Sequence, residues 1–196
     1  MMDSELPCIS WQYDMRRKKQ EIIPNVYLGP YQAAAKSELE NLRNDGITHI
    51  LCVRQDVEAR CVKVNFPDIF IYKVIEFRDH PCESIISILP EARNFINECL
   101  QSKGKILIHG VNGMSRSASL VIAYIMETRS ISYEEAFEIV KRRRFCIAPN
   151  YGFRSQLQEY EPIYKARNMS SQWMENTSNT GKKRRVSSEE SSFEMD

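Results

Sequence analysis

The stretch Lys105–Thr128, KILIHGVNGMSRSASLVIAYIMET, limits what this chain can fold into more than any other. Its apolar opening, KILIHG, reads as a strand, and Val111–Ser115 reads as a loop carrying a glycine. The continuation reads as an amphipathic helix entered through Ser115, Arg116 and Ser117. A strand that feeds a helix through so short a loop turns successive backbone amides toward one point, where the helix terminus adds partial positive charge. Arg116 supplies a planar fork that matches two oxygens of a phosphate. A nucleotide-binding loop would need a lysine followed by Ser or Thr after its second glycine, and this segment has none. The pattern predicts an anion cradle. At its base stands Gly110, which offers no side chain for chemistry.

The rest of the chain supplies a layered scaffold. EIIPNVYLGPYQAA predicts an edge strand through Ile23, Val26 and Leu28, flanked by Pro24 and the turn residues Gly29 and Pro30. KSELENLRNDG predicts a helix with Ser37 as its cap, an apolar stripe through Leu39 and Leu42, and Gly46 as a left-handed terminator. ITHILCV and DIFIYKVIEF are β-branched and aromatic runs that favour strands. SIISILPEARNFINECLQSKG has helical spacing, with a bend or break expected at Pro90. SYEEAFEIVKRRR opens with a capping box, Ser132 and Glu135, and YGFRSQLQEYEPIYKAR predicts a closing helix. Strands alternating with helices imply an α/β layer fold, its sheet mostly parallel and covered on both faces. From about Asn168 the chain is polar without apolar periodicity, the composition of a disordered tail.

A chain of 196 residues with 42% hydrophobic and 27% charged residues has room for one domain and a tail. A formal net charge of +1 gives no global reason to expect nucleic acid, so charge-driven binding must be local. The six cysteines form no CxxC pair and no metal-ligand spacing, which points to a reducing compartment. Cys52, Cys99 and Cys146 read as small core hydrophobes, and Cys82 lies three residues beyond Asp79. LVIAYIM is far shorter than the roughly 20 residues a bilayer span needs, so no membrane association is expected.

The segment HGVNGMSRS resembles the signature H-C-x-x-G-x-x-R-[S/T] of the cysteine-dependent dual-specificity protein phosphatases. His109, Gly113, Arg116 and Ser117 fit it, and Gly110 stands in the cysteine place. YKVIEFRDHPCESI resembles that family's general-acid loop, and AYIMETRSISYEEAFEIVKRRRFCIAPNYGF its helix pair and following loop. The resemblance covers roughly residues 21 to 166, leaving 1–20 as a lead-in and 167–196 as the tail. It implies a dual-specificity phosphatase-like fold, with phosphate held by Val111, Asn112, Gly113, Met114, Ser115 and Arg116. It also implies Asp79 at the general-acid position and loop support from His109, Ser117 and Asn150. Within the family, the glycine substitution resembles the serine/threonine/tyrosine-interacting pseudophosphatases, in which this cysteine is replaced. The implied partners are phosphorylated proteins, mitogen-activated protein kinases among them, with no cofactor or metal.

Other readings of single residues stay open in the sequence. Asp79 also reads as a solvated turn residue, Asn150 as a turn residue positioning its loop, and Arg116 as the partner of a core carboxylate. The protein as a whole reads as a phosphoprotein decoy or anchor, as a scaffold that uses other surfaces, or as an enzyme with a substitute nucleophile. Lys182, Lys183, Arg184 and Arg185 resemble a basic import signal and read equally as a solvated charge run. Cytoplasm and nucleus are therefore the expected locations. Phosphorylation at Ser187 or Ser188 would weaken the basic signal.

Overall fold

The computed structural model describes residues 10–186. Five strands, β1 (Gln20–Ile23), β2 (Val26–Pro30), β3 (His49–Arg54), β4 (Ile71–Glu76) and β5 (Ile106–Gly110), form one sheet in the order β1-β2-β5-β3-β4. β1 pairs antiparallel with β2, and every other pairing is parallel. The expected first strand is thus a hairpin. Asn25, at φ 68°, turns the chain, so β1 takes the edge and β2 lies inside against β5. β1 begins at Gln20, one residue before the expected start of the domain.

Alternation along the parallel strands divides the apolar residues between two faces. Leu51, Val53, Ile106 and Ile108 join the larger core, and Ile50 and Leu107 join a smaller one with Leu42, Phe66 and Phe70. Four helices, α2 (Leu89–Gln101), α3 (Arg116–Arg129), α4 (Tyr133–Arg143) and α5 (Tyr151–Val186), supply the larger side. α1 (Leu39–Asn44) and short 3₁₀ turns supply the other. Because β5 is the middle strand, its carboxyl end opens onto the centre of the sheet edge, where ligands of such sheets sit.

Several local expectations change in the structure. α3 is buried on every side from Arg116 through Glu127 rather than amphipathic, because it packs on the sheet with α2, α4 and α5 around it. Pro90 causes no bend. It sits in the first turn of α2, where its missing N–H is no loss, and a 3₁₀ turn, Ile86–Ile88, precedes it. Ser37 lies in a 3₁₀ turn and caps nothing, although Gly46 ends α1 in the left-handed conformation, at φ 76°. The capping box of Ser132 and Glu135 forms as expected. α5 carries its helical backbone through Val186, over a stretch whose composition predicts disorder. Once a packed segment has nucleated a helix, each further residue adds a hydrogen bond at low cost. Lys182–Arg185 lie on this backbone, and Ser187 and Ser188 lie outside the described residues.

Candidate anion site

The loop Val111–Ser115 is held from behind. Val111 O accepts from Tyr31 N at 3.1 Å and Met114 O from Ala148 N at 2.8 Å. Between them, Gly113 O and Asn112 O accept from Arg144 Nε at 2.8 Å and Arg144 Nη2 at 3.0 Å. Among the described residues, the backbone amides of Val111 through Arg116 donate to no other group of the protein. Carbonyls tied outward and amides left over are the arrangement an anion site requires. The loop and Ser117, with Asp79 and Ala148, line a cavity of about 220 Å³.

The two glycines of this segment do different work. Gly113 has φ +65°, and a Cβ there would come within 2.2 Å of Gly29 O, so only glycine fits. Gly110 has no such constraint. A Cβ on it would sit 3.3 Å from Val53 O and 3.4 Å from Ser117 Oγ, so a side chain needs a shift of only a few tenths of an ångström. Ser117 Oγ is itself buried and without a hydrogen-bond partner. A hydroxyl with nothing to bond therefore faces the space that a side chain at residue 110 would fill.

Arg116 is only 7% exposed. Its Nη1 and Nη2 donate to Glu58 Oε2 at 2.7 Å and Glu58 Oε1 at 2.9 Å, and Nη1 also donates to Phe77 O at 3.0 Å. Burial pushes the Glu58 carboxyl up, but hydrogen bonds from Arg116 and the Gln55 backbone outweigh it and leave Glu58 below its ordinary value. The carboxylate reading of Arg116 is seen in the structure, and it leaves donors over for a ligand. Of the five donors of a guanidinium the Nε–H and one Nη2–H remain. Those two lie on one edge of the plane. Nε is 3.9 Å from Asp79 Oδ2, on the cavity side.

Asp79 is built into the wall. Its Oδ1 accepts from Ser115 Oγ at 2.7 Å and from Asn150 Nδ2 at 2.8 Å. Asn150 Oδ1 accepts from Phe153 N at 2.9 Å, which anchors the start of α5, and Gly152 lets that helix come within 2.0 Å, measured from an added Cβ, of Pro81 O. Asn150 thus joins the Asp79 loop to the cradle. His109 lies behind the loop rather than in it. It is fully buried against Tyr31, its Nδ1 faces Gly110 O at 3.4 Å, and Nε2 has no partner. Burial pushes its pKa down to about 4, so the ring is neutral near pH 7.

Residues 26–163 match the catalytic domain of dual specificity phosphatases. This chain belongs to that family. It is 55% identical over 157 residues to serine/threonine/tyrosine-interacting protein A of Xenopus laevis, covering 80% of this chain and 70% of that one. The human serine/threonine/tyrosine-interacting protein is 54% identical over the same coverage. The crystal structure of the human tyrosine phosphatase-like serine/threonine/tyrosine-interacting protein superposes with a TM-score of 0.74 at 53% identity, covering 76% of this chain and 98% of that one.

Against this family background the cysteines need placing. Cys52 and Cys99 are buried in the core, and burial pushes the Cys52 thiol up to about 11. Cys146 is half-buried rather than part of the core, and Cys61 and Cys82 are exposed. None of these lines the cavity. Two residues of the site carried no signal in the sequence. Glu58 sits in the polar run RQDVEAR, and Arg144 ends the run KRRRF among three other cations. Only Arg144 of that run is fully buried.

Proposed function

We propose that this chain is a catalytically inactive, phosphatase-like protein that binds phosphorylated Tyr, Ser or Thr side chains of partner proteins. It then acts as decoy, anchor or competitor of active phosphatases. The observation that carries this reading is Gly110, a residue without a nucleophile, at the base of a cavity walled by free amides and by the open edge of Arg116. Hydrolysis through a covalent intermediate needs an attacking thiolate and an acid for the leaving oxygen. The Ser115 hydroxyl is committed to Asp79, and the Ser117 hydroxyl has no base to accept its proton. Without the attacker, charge stabilisation by amides and Arg116 gives affinity rather than turnover.

Removing the thiolate also removes a repulsion. Two negative charges about 4 Å apart at an effective dielectric of ~20 repel by about 4 kcal/mol, so a glycine base favours retention of the phosphate. The names of the relatives, proteins that interact with Ser, Thr and Tyr, agree with such a role. Calorimetry with matched phosphorylated and unphosphorylated peptides tests the reading, together with an aryl phosphate turnover assay. Binding selective for the phosphorylated form with no turnover is expected; equal binding of both forms overturns it.

Mitogen-activated protein kinases are the partners we propose to try first, by co-precipitation of the phosphorylated and dephosphorylated kinase. We also propose that the protein occupies cytoplasm and nucleus, using Lys182–Arg185 for import. An unchanged nuclear fraction after deletion of those four residues would remove that assignment.

A further inference from the structure

Tyr13 is 75% exposed, yet its hydroxyl is held in place. It opens the 3₁₀ turn Tyr13–Arg17, directly after Gln12 in extended backbone. The Arg16 guanidinium lies over the Tyr13 ring, 5.1 Å from its centre, and Arg16 Nη1 donates to the Tyr13 hydroxyl. Tyr13, Arg16 and Arg17 also line a cavity of about 250 Å³, together with Pro30, Gln32 and Asn112. No acidic residue lines it. Asp14, the acid nearest in sequence, is taken by Lys18 at 2.7 Å, and among the described residues Arg16 and Arg17 have no carboxylate partner.

The turn is open to a modifying enzyme. None of its residues is fully buried, so its first residues can leave the surface at low cost. The clamp made by Arg144 starts only at Arg16 O and Lys18 O, beyond Tyr13. Tyr151 is exposed to the same degree, at 74%, but it starts a helix whose first turn is anchored through Phe153 N on Asn150 Oδ1. Tyr13 therefore combines three features that Tyr151 lacks: extended chain before it, cations around its hydroxyl, and room beside it.

We infer that Tyr13 is a phosphorylation site, its phosphate received by Arg16 and Arg17, and that this modification weakens anion binding in the neighbouring cradle. A tyrosine kinase would move the γ-phosphoryl group of a nucleoside triphosphate onto Tyr13 Oη. The bond from the γ-phosphorus to its bridging oxygen breaks, the Oη–P bond forms, the hydroxyl proton passes to solvent, and a nucleoside diphosphate leaves. A phosphate monoester carries about −1.5 to −2 charges near pH 7, enough to cancel both arginines. Asn112 lines this cavity and the cradle alike, so the positive field lost here is lost at the edge of the cradle. The effect on affinity rests on the proposed binding of phosphoproteins; the modification site does not.

Three measurements test this. The full chain is incubated with a tyrosine kinase catalytic domain and ATP, and the label is mapped by mass spectrometry. Tyr13 should carry most of it, and Tyr13→Phe should lose most of the incorporation. Label that falls mainly on Tyr151 or on other tyrosines would overturn the site. Phosphorus NMR of the phosphorylated chain then follows the second ionisation of the phosphate, ordinarily near about 6. Arg16 and Arg17 should lower it by about half a unit or more, and the double variant Arg16→Ala, Arg17→Ala should restore it. Equal values in the two proteins would overturn the receiving role of the arginines.

Calorimetry with a singly phosphorylated peptide reads the consequence. The phosphorylated chain should bind at least about threefold more weakly than the unmodified chain at low salt, with the difference shrinking as salt is raised. Equal affinities would overturn the regulation. Absent binding by the unmodified chain would overturn the proposed function instead, and the mass and phosphorus measurements would still decide the modification site.

Discussion

Arg116 and Arg144 are both buried, and both act on the loop Val111–Ser115 from opposite sides. Behind the loop, all five donors of Arg144 are used. They go to the carbonyls of Gly113, Asn112, Lys18 and Arg16 and to Gln20 Oε1, with no carboxylate among them. In front of it, Arg116 has a carboxylate partner and still keeps one edge open. A guanidinium with no donor to spare can only hold structure, whereas one with an edge left over can also bind a ligand. Family membership alone does not separate these roles; the count of donors does.

The two glycines make the same contrast, and together these pairs set the expected size of each perturbation. Arg144→Ala strands four loop and lead-in carbonyls in a buried place. It should lower the unfolding free energy by more than about 3 kcal/mol, read by urea denaturation. Gly113→Ala belongs with it, because its Cβ would overlap Gly29 O. A loss for Arg144→Ala no larger than that for Arg116→Ala would break the distinction between back and front.

Acid acts on the back of the loop as well. His109 has a folded pKa near 4 against about 6.5 unfolded, so below pH 6.5 the unfolded chain binds the extra proton. The stability contributed by neutral His109 is complete above pH 6.5 and lost as pH falls toward 4, by about 3 kcal/mol. His49, which burial also lowers while Glu98 raises it, adds in the same direction. Unfolding measured at pH 7 and pH 4.5 should show the loss, and His109→Asn should flatten most of it.

At the front the effect moves from stability to binding. Arg116→Ala should cost phosphopeptide affinity at least about tenfold, the range of charge-assisted hydrogen bonds, while destabilising the fold less than Arg144→Ala does, because its stranded partner Glu58 keeps contact with water. Unchanged affinity would show that partners use another surface. The smallest structural effect is expected for Gly110→Cys, within about 1 kcal/mol, because the nearest atoms stand 3.3 Å or more from the added Cβ. The same variant should gain turnover of an aryl phosphate, with Ser117 Oγ beside the new thiol. Absent turnover would locate a second defect in the wall, where Asp79 is bonded to Ser115 and Asn150.

Much of the region around the loop is legible in the sequence. The strand, loop and helix of Lys105–Thr128 announce themselves by composition and by a loop glycine, Gly113, whose conformation no other residue would fit, and the Ser132–Glu135 cap is a contact between near neighbours. The less legible elements depend on what surrounds them. Pro90 reads as a breaker until a 3₁₀ turn ends just before it, and Ile23 and Val26 read as one strand until Asn25 folds them into two.

Residue type and spacing over a few positions are enough to predict the strand, loop and helix, the Arg116 cation at the helix entry, and a strand end at Gly110 that offers no side chain. Which of the arginines in KRRRF is buried, that Glu58 grips two donors of Arg116, and that the lead-in is fastened to the loop by Arg144 emerge only in the folded molecule. These are contacts across 32 to 128 positions of chain, and they are set by how the layers close. A run of like charges is uniform in sequence, but burial acts on each member separately: Arg144 is fully enclosed, Lys141 and Arg143 are half-buried on the carbonyls of Ile147 and Glu21, and Arg142 is exposed.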